Sequence, residues 1–280
     1  MPYPTLRQIL LLSFIVFPVA QFLIYPVVGE DAPLLGMVTA ELFLLWLAAF
    51  MVRLRRWNTE DVFLLNAAPM RALWGSLVAA LGAALLATEF DHVCAWVLQT
   101  LAWDPPLTFV YMQLQIQLIT DLPSALAVML AVVIVPALCE EIFFRGLVYT
   151  GLRYQFGPKA AIVGSALLFA AAHFNPWQFP ALFLLGLFLA ALVHWTHSLY
   201  PALIAHATNN ALSVATVNLR AHTGWDILGA TDALSWPMLL GAVVALLWGI
   251  RWLRQQAPIM PILSPYARPA PPDGPVAAWG

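Results

Sequence analysis

Apolar residues run along this chain in long blocks, broken by short charged or proline-rich segments. A helix needs ~20 apolar residues to cross a bilayer. The blocks predict about eight membrane helices, near Ile9–Val28, Leu34–Val52, Leu73–Thr88, Ala125–Tyr149, Ala160–Phe174, Pro180–Trp195, Pro201–Val217 and Trp236–Leu253. Phe109–Ile119 is a shorter apolar stretch carrying Gln113, Gln115 and Gln117, which suits an interfacial helix or a partial span. The first block continues past a weak Pro18–Val19–Ala20 cleavage pattern to Val28, so it reads as a retained helix rather than a signal peptide. From Ala257 to Gly280 the composition turns to Pro and Ala, the pattern of a disordered extension.

Composition agrees with the pattern. Hydrophobic residues make up 62% of the 280 residues and charged residues 9%, too few charges to solvate the surface of a soluble domain of this length. The predicted fold class is therefore all-α, a polytopic membrane protein forming one membrane domain. With a net charge of −2 and no glycine-rich phosphate loop, the chain offers no field for nucleic acid. Basic residues gather in alternate breaks: Arg7, then Arg53, Arg55, Arg56 and Arg71, then Arg153 and Lys159, then Arg251, Arg254 and Arg268. The other breaks carry Glu30, Asp31, Glu89, Asp91, Asp104, Asp121, Asp226 and Asp232, with Arg220 as their one base. The positive-inside rule then puts both termini in the cytoplasm, as in a multi-pass protein of a bacterial inner membrane. Cys94 and Cys139 fall in or near spans, so no disulfide framework is expected.

Charge inside the spans is where chemistry enters. A carboxylate near the bilayer centre costs ~2.5–3.5 kcal/mol on insertion scales, yet Glu140 and Glu141 sit side by side in the fourth predicted span. Glu141 and Arg145 are four apart and share a helix face, which leaves Glu140 pointing about 100° away. His173 follows Phe169 by four residues, and Asn210 follows His206 by four, so each pair shares a face. One free acid, two histidines and one amide on three helices can converge inside a bundle. A carboxylate in low-dielectric surroundings is a good general base near neutral pH. His173 can share a water with Glu140, and His206 with Asn210 can donate to the oxyanion of a tetrahedral intermediate. Pro136, one turn before Glu140, predicts a kink that makes room for the water.

The segments Glu140-Glu141-Ile-Phe-Phe-Arg145, Phe169-Ala-Ala-Ala-His173 and His206-Ala-Thr-Asn-Asn210 resemble the EExxxR, FxxxH and HxxxN motifs of the CPBP family. That family includes the CAAX prenyl endopeptidase of eukaryotes and many bacterial intramembrane proteases, some linked to bacteriocin self-immunity. The resemblance implies an eight-helix intramembrane endopeptidase in which Glu140 and His173 activate water. His206 and Asn210 would stabilise the oxyanion, supported by Glu141 and Arg145. It implies a membrane-anchored peptide or protein substrate, prenylated or held by its C-terminal end, among membrane lipid. On this reading residues 1–124 hold N-terminal membrane helices and a loop, 125–217 the catalytic core, 218–256 a last membrane helix and 257–280 the extension. No cofactor is required, although the family was long described as metalloproteases, and Glu140, His173 and His206 are the residues that would ligate zinc.

Other readings of these residues stand beside that one. The glutamate pair also suits a proton- or ion-coupled transporter, and the whole arrangement a non-catalytic scaffold. Glu141 with Arg145 suits a structural ion pair, and Cys139 a thiol nucleophile, although a buried thiol stays protonated. His194 and His197 read as interface histidines, and His92 and His222 as solvated loop residues. Glu41, in the second span, is a charge that lines the cavity or pairs with another helix.

Overall fold

The computed structural model describes residues 2–226 and 233–256. The Pro/Ala-rich extension and Asp232 lie outside the described residues. Ten helices make up the described chain: α1 (Leu6–Gly29), α2 (Pro33–Arg55), the short α3 (Thr59–Phe63), α4 (Met70–Thr100), α5 (Leu107–Gln115), α6 (Leu122–Phe156), α7 (Pro158–Ala172), α8 (Phe179–Thr196), α9 (Tyr200–Thr223) and α10 (Trp236–Gln256). No strand occurs among the described residues. The fold is an all-α membrane bundle.

A helix stands at each of the eight predicted positions, and six of them are long and apolar enough to cross a membrane: α1, α2, α4, α6, α8 and α10. The other two differ for physical reasons. At 15 residues α7 extends ~22 Å at 1.5 Å per residue, short of a ~30 Å hydrocarbon core. Length is not the issue for α9, whose 24 residues are diluted by His206, Thr208, Asn209, Asn210 and Asn218. The third block also runs further than its apolar pattern. Nothing from Thr88 to Thr100 breaks a helix, so Glu89, Asp91 and His92 lie within α4 and not in a loop. Asp104-Pro105-Pro106 stops it soon after. Of Phe109–Ile119, only the residues up to Gln115 are helical, in the nine-residue α5, which is too short to span and has no buried residue.

Local chemistry fixes the ends of these helices. α1 opens on a capping box in which the Gln8 N–H donates to Thr5 Oγ1 (3.3 Å) and the Thr5 N–H to Gln8 Oε1 (2.9 Å). α6 opens the same way on Asp121 and Ser124, with the Ser124 N–H 2.8 Å from Asp121 Oδ1. Pro18 inside α1 and Pro136 inside α6 each lie beside a widened π-helical turn, at Ala20–Ile24 and Met129–Ile134. Such turns absorb a missing N–H without breaking the helix.

α6 is the organising element. Phe17 of α1 packs against Phe143 and Phe144, each at 5.2 Å between ring centroids. Gln155 near its far end bonds the Leu6 N–H and the Pro4 carbonyl, tying α1 down. Gly146 admits Phe63 of α3, since a Cβ there would lie 2.8 Å from that ring. α4 and α10 meet through small residues: a Cβ on Gly82 would lie 2.3 Å from the Ala242 carbonyl, and one on Gly249 2.5 Å from the Ala79 nitrogen. The Ser76 hydroxyl then ties α4 to α9 by donating to the Pro201 carbonyl. Outward faces of the long helices carry exposed apolar side chains such as Phe14, Leu126 and Leu247, as lipid-facing surfaces do.

Candidate active site

Glu140 and Glu141 end a seven-residue α-helical stretch, Val135–Glu141, set between the π-helical turns Met129–Ile134 and Ile142–Val148 of α6. Widened turns recur at functional sites because they rotate successive side chains off the regular helical register. Here they frame two adjacent carboxylates with different surroundings.

Glu141 is completely enclosed and holds its partners through one oxygen, its Oε2 being buried without a hydrogen-bond partner. Its Oε1 accepts from Arg145 Nη1 at 2.8 Å and from His206 Nδ1 at 2.9 Å. Arg145, equally buried, donates through Nη2 to the Gly186 carbonyl of α8 at 3.2 Å and stacks 4.4 Å from the Phe169 ring centroid. Gly186 permits this because α8 lies so close to α7 there that a Cβ would sit 2.9 Å from Ala166 Cα. The expected Glu141–Arg145 pairing is present, and it extends to His206, a contact that helix-face reasoning on α6 alone does not reach.

Glu140 faces the other way. Its Oε2 is buried with no hydrogen-bond donor, and the Nε2 atoms of His173 and His206 stand 3.9 and 3.8 Å from it. Both histidines are oriented from behind. His173 caps the C-terminal end of α7, and its Nδ1 lies 2.8 Å from the Phe169 carbonyl. A carbonyl only accepts, so Nδ1 carries the proton and Nε2 is left to face Glu140. His206 is fixed likewise by Glu141. Phe169 supports the whole group: His173 packs on it at 4.8 Å, His206 at 5.7 Å and Arg145 over its face.

Asn210, one turn beyond His206, reaches α6 from α9. Its Nδ2 donates to the Val132 carbonyl at 3.1 Å, and its Oδ1 accepts from Asn209 Nδ2 at 3.3 Å. Val132 lies four residues before Pro136, where an α-helix would place the partner of the N–H that proline lacks. The amide has two N–H groups, so one remains beyond the Val132 bond. Glu41 of α2, assigned no role in the catalytic set, carries a buried Oε2 without a hydrogen-bond partner, on a helix that packs against Val135–Glu141. The one sequence signal for it is a carboxylate in an otherwise apolar helix.

The remaining candidates lie elsewhere. His194 meets the Tyr149 hydroxyl at 3.2 Å and His197 meets Arg153 at 3.1 Å. Burial first and then the Arg153 charge hold the His197 imidazole below its usual range. Contrary to a solvated reading, His92 is half-buried beside Glu89 at 3.7 Å; His222 is exposed as expected, with Nε2 2.7 Å from the Ile119 carbonyl. Cys139 is buried, and no hydrogen bond to it from a histidine occurs among the described residues.

A zinc ion with bonds of ~2.0–2.2 Å draws tetrahedral ligand atoms to about 3.3–3.6 Å from one another. The Glu140 to histidine distances are wider, and among the described residues no group of three His, Cys, Asp or Glu side chains is arranged to hold a metal ion. The set does not fit that ligation as it stands.

Residues 122–212 match the family model described as Rce1-like, Type II CAAX prenyl endopeptidase Rce1-like. No curated protein and no solved structure matches the chain. The matched segment spans both glutamates, His173, His206 and Asn210. Over that segment, about a third of the chain, this multi-pass membrane protein is similar to the CAAX protease-like (CPBP) endopeptidases.

Proposed function

We propose that the protein hydrolyses a peptide bond near the C-terminal end of a membrane-anchored, prenylated or similarly tethered substrate, using Glu140 as general base without a metal. The observation that carries this reading is Glu140 Oε2, buried without a donor and faced by two imidazole Nε2 atoms at 3.8 and 3.9 Å. Those separations are too long for direct hydrogen bonds and suit a shared water.

In this mechanism the water donates one proton to Glu140 as its oxygen attacks the scissile carbonyl, with His173 Nε2 accepting its other hydrogen bond. The resulting oxyanion is met by His206 Nε2–H and by the free N–H of Asn210. For His206 to donate through Nε2 while Nδ1 donates to Glu141, the ring carries both protons. The Glu141 carboxylate stabilises that imidazolium, as the buried aspartate does in a serine-protease triad. On collapse the C–N bond breaks, Glu140 returns its proton to the leaving nitrogen, and the water oxygen stays in the new carboxyl group. Arg145 balances Glu141 throughout. The asymmetric loop charges support cytoplasmic termini and a bacterial inner-membrane location.

A panel of CAAX-like and other membrane-tethered peptides, offered to the purified protein in detergent with and without a zinc chelator, tests this proposal. Cleavage indifferent to the chelator is expected. Cleavage abolished by the chelator and restored by zinc would replace the water-only mechanism with a metal-assisted one.

A further inference from the structure

At the arginine-rich end of α2 the chain turns back on itself and leaves a hollow. Arg56, just past the helix, takes a left-handed backbone with φ of 54°. Its N–H and that of Trp57 thereby return to the Arg53 and Val52 carbonyls at 3.2 and 3.0 Å, closing the helix end. Asn58 then starts α3, its Oδ1 accepting from the Glu60 N–H at 2.9 Å. Between the end of α2 and α3 lies a cavity of about 440 Å³, which the mechanism above does not use.

The walls of this cavity differ in chemistry. Val52 and Phe63 are its buried side and belong to the core. Phe63 is fixed from behind by Gly146 of α6, where a Cβ would lie 2.8 Å from the ring, so that wall is rigid. Arg53, Arg56 and Thr59 are the exposed side. Neither guanidinium forms an ion pair among the described residues. Glu60 and Asp61, the next acids in the sequence, do not line the cavity. Two cations therefore face one space with no carboxylate in its lining.

The cavity continues into the membrane. Ala49, one turn before Arg53, lines it as well, and Trp46 and Leu42 extend the same face at helical spacing, 57% and 49% exposed. Trp46 is held by the Phe50 ring at 5.4 Å. The 23 residues of α2 extend ~34 Å, so Arg53 stands at headgroup depth and the apolar stripe below it lies at the depth of the hydrocarbon.

We infer that this cavity binds an anionic phospholipid of the leaflet on the arginine-rich side. The phosphate sits between the Arg53 and Arg56 guanidinium groups with the Thr59 hydroxyl as a further donor, and an acyl chain lies along Ala49, Trp46 and Leu42. Guanidinium forks match phosphate oxygens, and basic pockets beside membrane helices take such headgroups. The apolar continuation selects a lipid over a free anion. With no carboxylate in the lining, the ammonium of a zwitterionic headgroup finds no counter-charge there.

Native mass spectrometry of the delipidated full chain, titrated with phosphatidylglycerol or with phosphatidylcholine of the same acyl chains, tests the inference. The wild type is expected to hold its first phosphatidylglycerol at least about ten-fold more tightly than phosphatidylcholine. At roughly five-fold per arginine, Arg53→Gln and Arg56→Asn each weaken that binding about five-fold, and the double variant about ten- to thirty-fold. Asparagine tolerates the left-handed backbone at position 56. If that variant melts early, Arg53→Gln carries the comparison alone. Arg55→Gln removes an equal charge from outside the lining and is expected to stay within two-fold of the wild type. Equal affinity of the wild type for the two lipids overturns the inference. So does a loss in Arg55→Gln as large as in Arg53→Gln, which would reduce the effect to general surface charge. Displacement of the bound lipid by millimolar inorganic phosphate would assign the cavity to a free anion and overturn it too.

Discussion

Replacing Glu141 with alanine strips the acceptor from two buried donors at once. In the native site Glu141 Oε1 holds Arg145 Nη1 at 2.8 Å and His206 Nδ1 at 2.9 Å, and Arg145 and Glu141 have no exposed surface. After the change Arg145 keeps the Gly186 carbonyl and the Phe169 ring but loses its counter-charge. Removing one partner of a buried ion pair costs ~3–5 kcal/mol, because the surviving charge is left uncompensated. The buried His206 Nδ1–H loses its acceptor as well, a further ~1–3 kcal/mol. Glu140→Ala removes a carboxylate that no N–H donates to, so its effect on stability is within about 1 kcal/mol, or favourable, as at sites where function rather than stability dictates the residue. Chemical unfolding of both variants in mixed micelles, followed by tryptophan fluorescence, measures the contrast. Equal destabilisation by the two substitutions, or a larger loss for Glu140→Ala, would refute the division of the pair into one structural and one reactive acid.

Further outcomes follow from features outside the site. Gly82→Leu drives a side chain into the Ala242 carbonyl and Leu246 backbone, so α4 and α10 separate and the thermal midpoint falls, which a melting curve in detergent would show. Asp121, at the start of α6, has its carboxyl held below the usual range by its bonds to Ser124. A depressed folded value means that stability is present above the unfolded pKa and lost as pH falls through the folded one. The Asp121→Asn variant, whose amide oxygen still caps, is expected to lack that acid-side loss when melting is followed against pH.

The sequence reveals the helices well where a single long apolar run sets them, as at α2, α8 and α10. It misplaces the end of α4, because Glu89 and Asp91 read as loop residues while helix propensity carries the chain on to Thr100. α7 stops at Ala172 and leaves His173 at a helix end, which the hydropathy of its flanks does not mark. Within the site, i,i+4 spacing is enough to foresee Glu141 with Arg145 and His173 near Phe169. Contacts between helices escape it. The Glu141–His206 bond and the Asn210 bond to the Val132 carbonyl before Pro136 both depend on how α6 and α9 dock, and no spacing along one helix encodes that.

The central claim is that Glu140 moves the proton of the attacking water. The most direct measurement is the single-turnover rate of cleavage of one prenylated CAAX-like reporter by the wild type and by Glu140→Gln, with both proteins shown to melt alike. General base catalysis of this kind contributes ~10²–10⁴-fold, so the variant is expected to lose at least about a hundred-fold in rate while binding the reporter equally well. A folded Glu140→Gln protein that cleaves the reporter at the wild-type rate would contradict the account.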